Sequence, residues 1–137
     1  MIQRLPALLI MALALAAPAQ AAVPVMPFDD VQPGMRGTGR TVFAGTRVET
    51  FDVEILGKLP NVGADQNLIL ARCSGGPLAE TGVLAGMSGS PVTIDGKLIG
   101  AVAYSWGFSK EPIAGITPIE EMLAVAELES GAPAGRA

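Results

Sequence analysis

A mostly-β domain with one C-terminal α-helix is the fold class this chain predicts, on three observations. Seventeen glycines and 11 prolines in 137 residues cut the chain into short strands, because both residues punctuate turns. The run Val48 to Gly57 alternates between apolar and polar positions almost without error, the period of a half-buried strand. Only Thr117 to Leu128 combines a helix-start signal with helical spacing of apolar residues. Hydrophobic residues make up 50% of the chain against 16% charged, which favours a packed core over disorder. The length fits one domain or less.

The first 21 residues read as a secretory signal peptide. Arg4 supplies the positive start, Leu5 to Ala17 the apolar centre, and Ala19-Gln20-Ala21 the small-x-small exit. The apolar run falls short of the about 20 residues that span a bilayer. Cleavage is expected after Ala21, giving an exported, periplasmic or extracellular protein. Membrane contact would then come only through an uncleaved N-terminal segment. Residues 22–33, with Pro24, Pro27 and Pro33, read as an extended lead-in. Residues 34–128 read as the folded domain and 129–137 as a flexible tail.

Gly34 to Arg40 opens a strand, Thr41 to Phe43, and its glycines suggest a bulge or a close backbone crossing. A phosphate-cradling loop is the sharper reading of these glycines. It fails for want of a preceding strand, a following helix and a Lys-Ser/Thr pair. In the alternating run, Phe51, Val53 and Ile55 fall on the core face, while Asp52 and Glu54 fall on the solvated one. Pro60 to Gln66 is a turn cluster, and Asn67 to Cys73 a short buried strand, with Cys73 acting as a small buried hydrophobe. Ser74-Gly75-Gly76-Pro77 leads into no alternating strand and reads as a loop. Pro91 to Ile94 and Lys97 to Tyr104 form a hairpin around Asp95-Gly96, a strong hairpin signal. A loop carrying Trp106 and Phe108 precedes a last strand, Ile113 to Ile116. In the helix, Thr117 suits the cap, Pro118 the first turn and Glu120 the capping-box position. Ile119, Met122, Leu123 and Ala126 share the face expected to pack on the barrel.

The chemistry-bearing stretch is Gly86-Met87-Ser88-Gly89-Ser90-Pro91. Glycines on both sides of Ser88 permit a tight turn that presents one hydroxyl and lets a ligand approach the main chain. Successive N–H groups in such a turn can stabilise a developing oxyanion. Ser88 is therefore the candidate nucleophile, and Gly86, Met87 and Ser88 the candidate oxyanion-hole donors. The sequence contains no histidine, and a serine hydroxyl stays a weak nucleophile until a base takes its proton. Lys97 and Asp52 are the accessory candidates, as base and as orienting carboxylate. Lys58 and Lys110 are more distant in sequence, and all three lysines sit beside turn residues that suggest exposure.

The run from Gly82 to Leu123 resembles the SpoIVB peptidase family of serine peptidases. The matching residues are Gly86 to Pro91, Asp95-Gly96-Lys97-Leu98-Ile99-Gly100-Ala101-Val102 and Ile116-Thr117-Pro118-Ile119. The order of serine turn, hairpin and helix is also similar to the second barrel of trypsin-like proteases. This resemblance implies a chymotrypsin-like antiparallel β-barrel, single or partial, an exported location and peptide-bond hydrolysis with Ser88 as nucleophile. The family's catalytic histidine has no counterpart upstream of Ser88. The chain is thus expected to be either the nucleophile half of a larger enzyme or a peptidase-like domain that does not cut.

A polypeptide substrate or protein partner is expected. The net charge of −4 comes without a basic cluster, which excludes nucleic acid. No cofactor and no metal are expected. A non-catalytic exported module that binds peptide or protein through the same glycine-rich turn is the alternative.

Overall fold

A computed structural model describes residues 21–131; the predicted signal segment up to Gln20 and the tail from residue 132 lie outside the described residues. Six antiparallel strands close into a barrel: β1 (Arg36–Thr41), β2 (Glu49–Gly63), β3 (Gln66–Ser74), β4 (Pro91–Ile94), β5 (Lys97–Ser105) and β6 (Ile113–Pro118). Their order around the ring is β1-β2-β3-β6-β5-β4. The ring shuts where β4 returns to β1, pairing Thr38 with Thr93 and Gly39 with Val92. This is the chymotrypsin-like barrel implied by the resemblance. Among the described residues two α-helices decorate it, the single turn α1 (Leu78–Thr81) and α2 (Ile119–Ser130).

The alternation in β2 works as its pattern requires. Phe51, Val53 and Ile55 are each at most 2% exposed, and they meet Ile69, Ala71, Val92, Ile99, Val102 and Ile116 in one core. The glycines of β1 mark a close crossing. A Cβ on Gly39 would collide with the ring of Phe51, its cross-strand partner, and one on Gly37 with Thr93 O. With no side chain projecting from Gly39, the Phe51 ring fills that space, an arrangement that lets a glycine strand close a small barrel. The strand itself lies earlier than expected, ending at Thr41 rather than beginning there. Pairing with both β2 and β4 explains this, because two ladders outweigh the low strand propensity of the glycines.

The chain between Pro60 and Gln66 is not a loose turn cluster. β2 continues to Gly63, and only Ala64 and Asp65 separate it from β3. Asn61 and Asp65 take positive φ of 55° and 53°, tolerated because short polar side chains can bond locally, and Asn67 Oδ1 accepts from Asn61 N–H. The Asp95-Gly96 turn forms as expected, with φ of 50° and 74°, the positive pair of a two-residue hairpin loop. The lead-in is not wholly extended either. Phe28–Asp30 makes one 3₁₀ turn, held by Lys58, whose Nζ donates to Phe28 O at 3.0 Å and Asp29 O at 3.1 Å.

The helix departs most from expectation. It starts at Ile119 with Pro118 as N-cap and no side-chain cap, because Thr117 belongs to β6. Glu120 does not reach back in a capping box; its Oε1 accepts from Phe28 N–H at 2.7 Å. Of the predicted buried face only Ile119 is buried, while Met122, Leu123 and Ala126 are exposed. The helix leaves the barrel after its first turn and runs on to Ser130, past the point where the tail was expected to begin. Among the described residues, no helix is long and apolar enough to cross a membrane.

Cys73 lies in the core at 1% exposure, and burial pushes its thiol from 9.0 up to about 11. Burial penalises the thiolate, so the native state is the weaker acid. Stability is unaffected by this group below pH 9 and falls as pH rises toward 11, by about 2–3 kcal/mol for a shift of this size. Urea midpoints at pH 7.5 and 10.5 are expected to separate more for the wild type than for Cys73→Ala. Equal separations would show that the thiol does not titrate differently on folding.

Candidate functional site

The chain reaches Ser88 through a sequence of tight, hydrogen-bonded steps. Gly82, with φ of 67°, ends α1, and Leu84 is extended before Ala85–Met87 makes one 3₁₀ turn. Met87, only 1% exposed, anchors that turn in the core. Ser88 then takes φ −55° and ψ 133°, Gly89 takes φ 84°, and Ser90 N–H closes on Met87 O at 2.9 Å. These are the angles of a type II turn, whose third position demands glycine. Ser88 is its second residue, at the corner, with its side chain exposed. The glycine-flanked serine thus yields an outward hydroxyl for a specific reason: Gly89 can take the positive φ that the turn requires.

Two further bonds fix the turn to the barrel. Gly89 N–H donates to Val102 O at 2.7 Å, and Val102 N–H to Ser90 O at 3.0 Å, so the turn is stitched to β5. Ser90, buried at 7% exposure, donates its hydroxyl to Thr41 Oγ1 on β1 at 2.9 Å. The two serines of the motif therefore face opposite ways. Ser88 faces solvent and Ser90 faces the core.

Ser88 sits between two depressions. An open cleft of about 440 Å³ lies on the β1 side, lined by Arg40, Thr41, Val42, Val48, Gly86 and Ser88 among others. A smaller one of about 50 Å³ lies on the β5 side, between Val83, Leu84, Ala85 and Val102 to Ser105. Ser88, Tyr104 and Ser105 line it together with the apolar residues, and its surface is more polar than apolar.

The three expected oxyanion donors do not all face outward. Met87 N–H donates to Leu84 O at 3.0 Å and Ser88 N–H to Ala85 O at 3.2 Å. Gly86 N–H makes no hydrogen bond within the described residues. In this arrangement the 3₁₀ turn satisfies two of the three donors itself.

The accessory candidates lie elsewhere. Lys97 starts β5 beside the Asp95-Gly96 turn, and Val102, the residue that contacts the serine turn, lies five positions further along the strand. At the usual rise that is about 16 Å. Lys58 is committed to the lead-in carbonyls, and Lys110 lies in the Trp106 loop, beside a cleft that does not include Ser88. Asp52 pairs with Thr38 and Ser74 and lines a separate charged cleft with Arg36, Glu54 and Arg72. Glu54 and Arg72 approach to 3.8 Å there, as expected of a solvated strand face. Phe108 is fully exposed, and Trp106 borders the Lys110 cleft instead of the serine turn. Among the described residues, no cluster of His, Cys, Asp and Glu could hold a metal ion.

Sequence reasoning missed Thr41 and Val102. Both act on the turn through barrel closure, and no local pattern marks them.

Compared with known protein families, residues 12–123 match the model described as SpoIVB peptidase S55. No curated protein matches the chain.

Proposed function

We propose, from the premise that this chain belongs to the SpoIVB peptidase S55 family, that it is an exported serine-peptidase domain whose nucleophile is Ser88. Its general base lies outside these 137 residues, which contain no histidine. The observation that carries the reading is the corner position of Ser88: an exposed hydroxyl on a turn that buried Met87, buried Ser90 and β5 hold rigid. Such a hydroxyl can meet a peptide carbonyl in the cleft beside it without rearrangement of the barrel.

In this reading, a base removes the Ser88 proton as Oγ attacks the scissile carbonyl, and N–H groups of the turn take the developing negative charge. Gly86 N–H bonds to no described residue, and Ala85 O accepts from Ser88 N–H. One flip of the planar Ala85–Gly86 peptide would free Ser88 N–H and turn Gly86 N–H to the same side. A polypeptide chain is the substrate, and the N-terminal signal up to Ala21 directs export.

A fluorophosphonate probe tests the reading. Labelling of the folded protein at Ser88, seen by mass spectrometry, is the expected result, with trypsin as positive control. A folded sample that stays unlabelled beside labelled trypsin would remove Ser88 as a nucleophile in this chain.

Two specific observations favour a second reading, a binding module without catalysis. The sequence has no histidine, and Ser88 N–H is already bonded within the turn. Peptide binding that persists at full strength in Ser88→Ala without any labelling of the wild type would select it.

A further inference from the structure

We propose that the groove between α2 and the β2–β3 hairpin docks a cationic, amphipathic segment of a partner polypeptide. The groove, about 700 Å³, has Met122, Val125 and Leu128 along one wall and Ala64 to Gln66 along the other, with Thr117 between them. Those three apolar side chains recur at i, i+3 and i+6, so they form a stripe along one side of α2. They are 42%, 55% and 80% exposed. At 1.5 Å per residue the stripe is about 9 Å long, the length of two or three apolar contacts from a short helix.

The groove is a built feature and not a loosely hanging helix end. Two carboxylates in the first turn fix where α2 leaves the barrel. Glu120 accepts from Phe28 N–H on one side, and Glu121 Oε1 accepts from Asn67 N–H on the hairpin at 2.6 Å. The apolar wall is thereby held beside the hairpin without collapsing onto it.

Charge identifies the occupant. The groove lining carries Asp65 and Glu121 and no lysine or arginine, and Glu129, next after Leu128, lies within about 40° of the apolar stripe at 3.6 residues per turn. A second copy would bring the same acids face to face, and an anionic lipid surface would also be repelled. A segment with apolar residues on one face and Lys or Arg around them satisfies both the stripe and the acidic rim. The site does not involve Ser88, and it stands whether or not the turn is catalytic.

The test uses the whole protein and a fluorescein-labelled 14-residue helical peptide of leucine and lysine, read by anisotropy. Saturable binding is expected, weakened at least tenfold by Val125→Ser/Leu128→Ser and also by Asp65→Asn/Glu129→Lys, but unchanged by Ser88→Ala. These side chains are exposed, and circular dichroism confirms that each variant is folded. A peptide with glutamate in place of lysine is expected not to bind. Four results would each overturn the proposal: no saturable binding, equal binding by the groove variants, self-association abolished by Leu128→Ser, or binding to phosphatidylglycerol vesicles lost in the same variant.

Discussion

Phe51→Ala is expected to lower stability by about 3–5 kcal/mol, the usual cost of removing a buried ring. The ring occupies the space over Gly39, where any Cβ would overlap it. Gly39→Ala should therefore destabilise by about 1–3 kcal/mol through overpacking. The informative result is the double variant. With the ring gone, the new methyl at position 39 enters space already vacated, so the two losses should fall short of their sum by at least about 1 kcal/mol. Urea unfolding of the four proteins measures this coupling. Additivity within about 0.5 kcal/mol would mean that the two positions do not share one packing site.

Ser88→Ala and Ser90→Ala are expected to separate function from stability within three residues. Ser88 is exposed and its hydroxyl bonds to no described residue, so its loss should leave the unfolding midpoint nearly unchanged, within about 0.5 kcal/mol, while abolishing fluorophosphonate labelling. Ser90 donates into the core to Thr41. Removing it strands a buried hydroxyl and should cost about 1–3 kcal/mol. Thermal melts and labelling of the two variants together check the assignment. A large loss of stability in Ser88→Ala with none in Ser90→Ala would reverse the roles given to the two serines.

Local pattern made much of this molecule legible in its sequence. The inward face of β2 follows from alternation alone, and the Asp95-Gly96 hairpin from turn chemistry that needs no distant partner. The position of Ser88 was readable for the same reason, since a type II turn is set by Gly89 and its neighbours. What was not readable depends on closure. The shift of β1 to Arg36–Thr41 comes from its second ladder with β4, and the Thr41–Ser90 bond joins residues 49 apart. The commitment of Met87 and Ser88 N–H groups depends on which way the Ala85 and Leu84 carbonyls turn, a choice that glycine on either side leaves open. The helix misled because its apolar spacing suits a buried face, whereas two first-turn carboxylates set its exit from the barrel.

The hairpin of β2 and β3 reaches beyond the ring that the other strands close, and this changes how the protein meets its own unfolded copies. A closed barrel offers no free strand edge to seed aggregation. The far part of β2, past its pairing with β1, is one exception, and Pro60 stands there. Proline has no N–H to donate, so an incoming strand finds a gap in the ladder where it would begin to zip. With Asn61 turned to positive φ beside it, this edge of the hairpin is a poor template for intermolecular sheet growth.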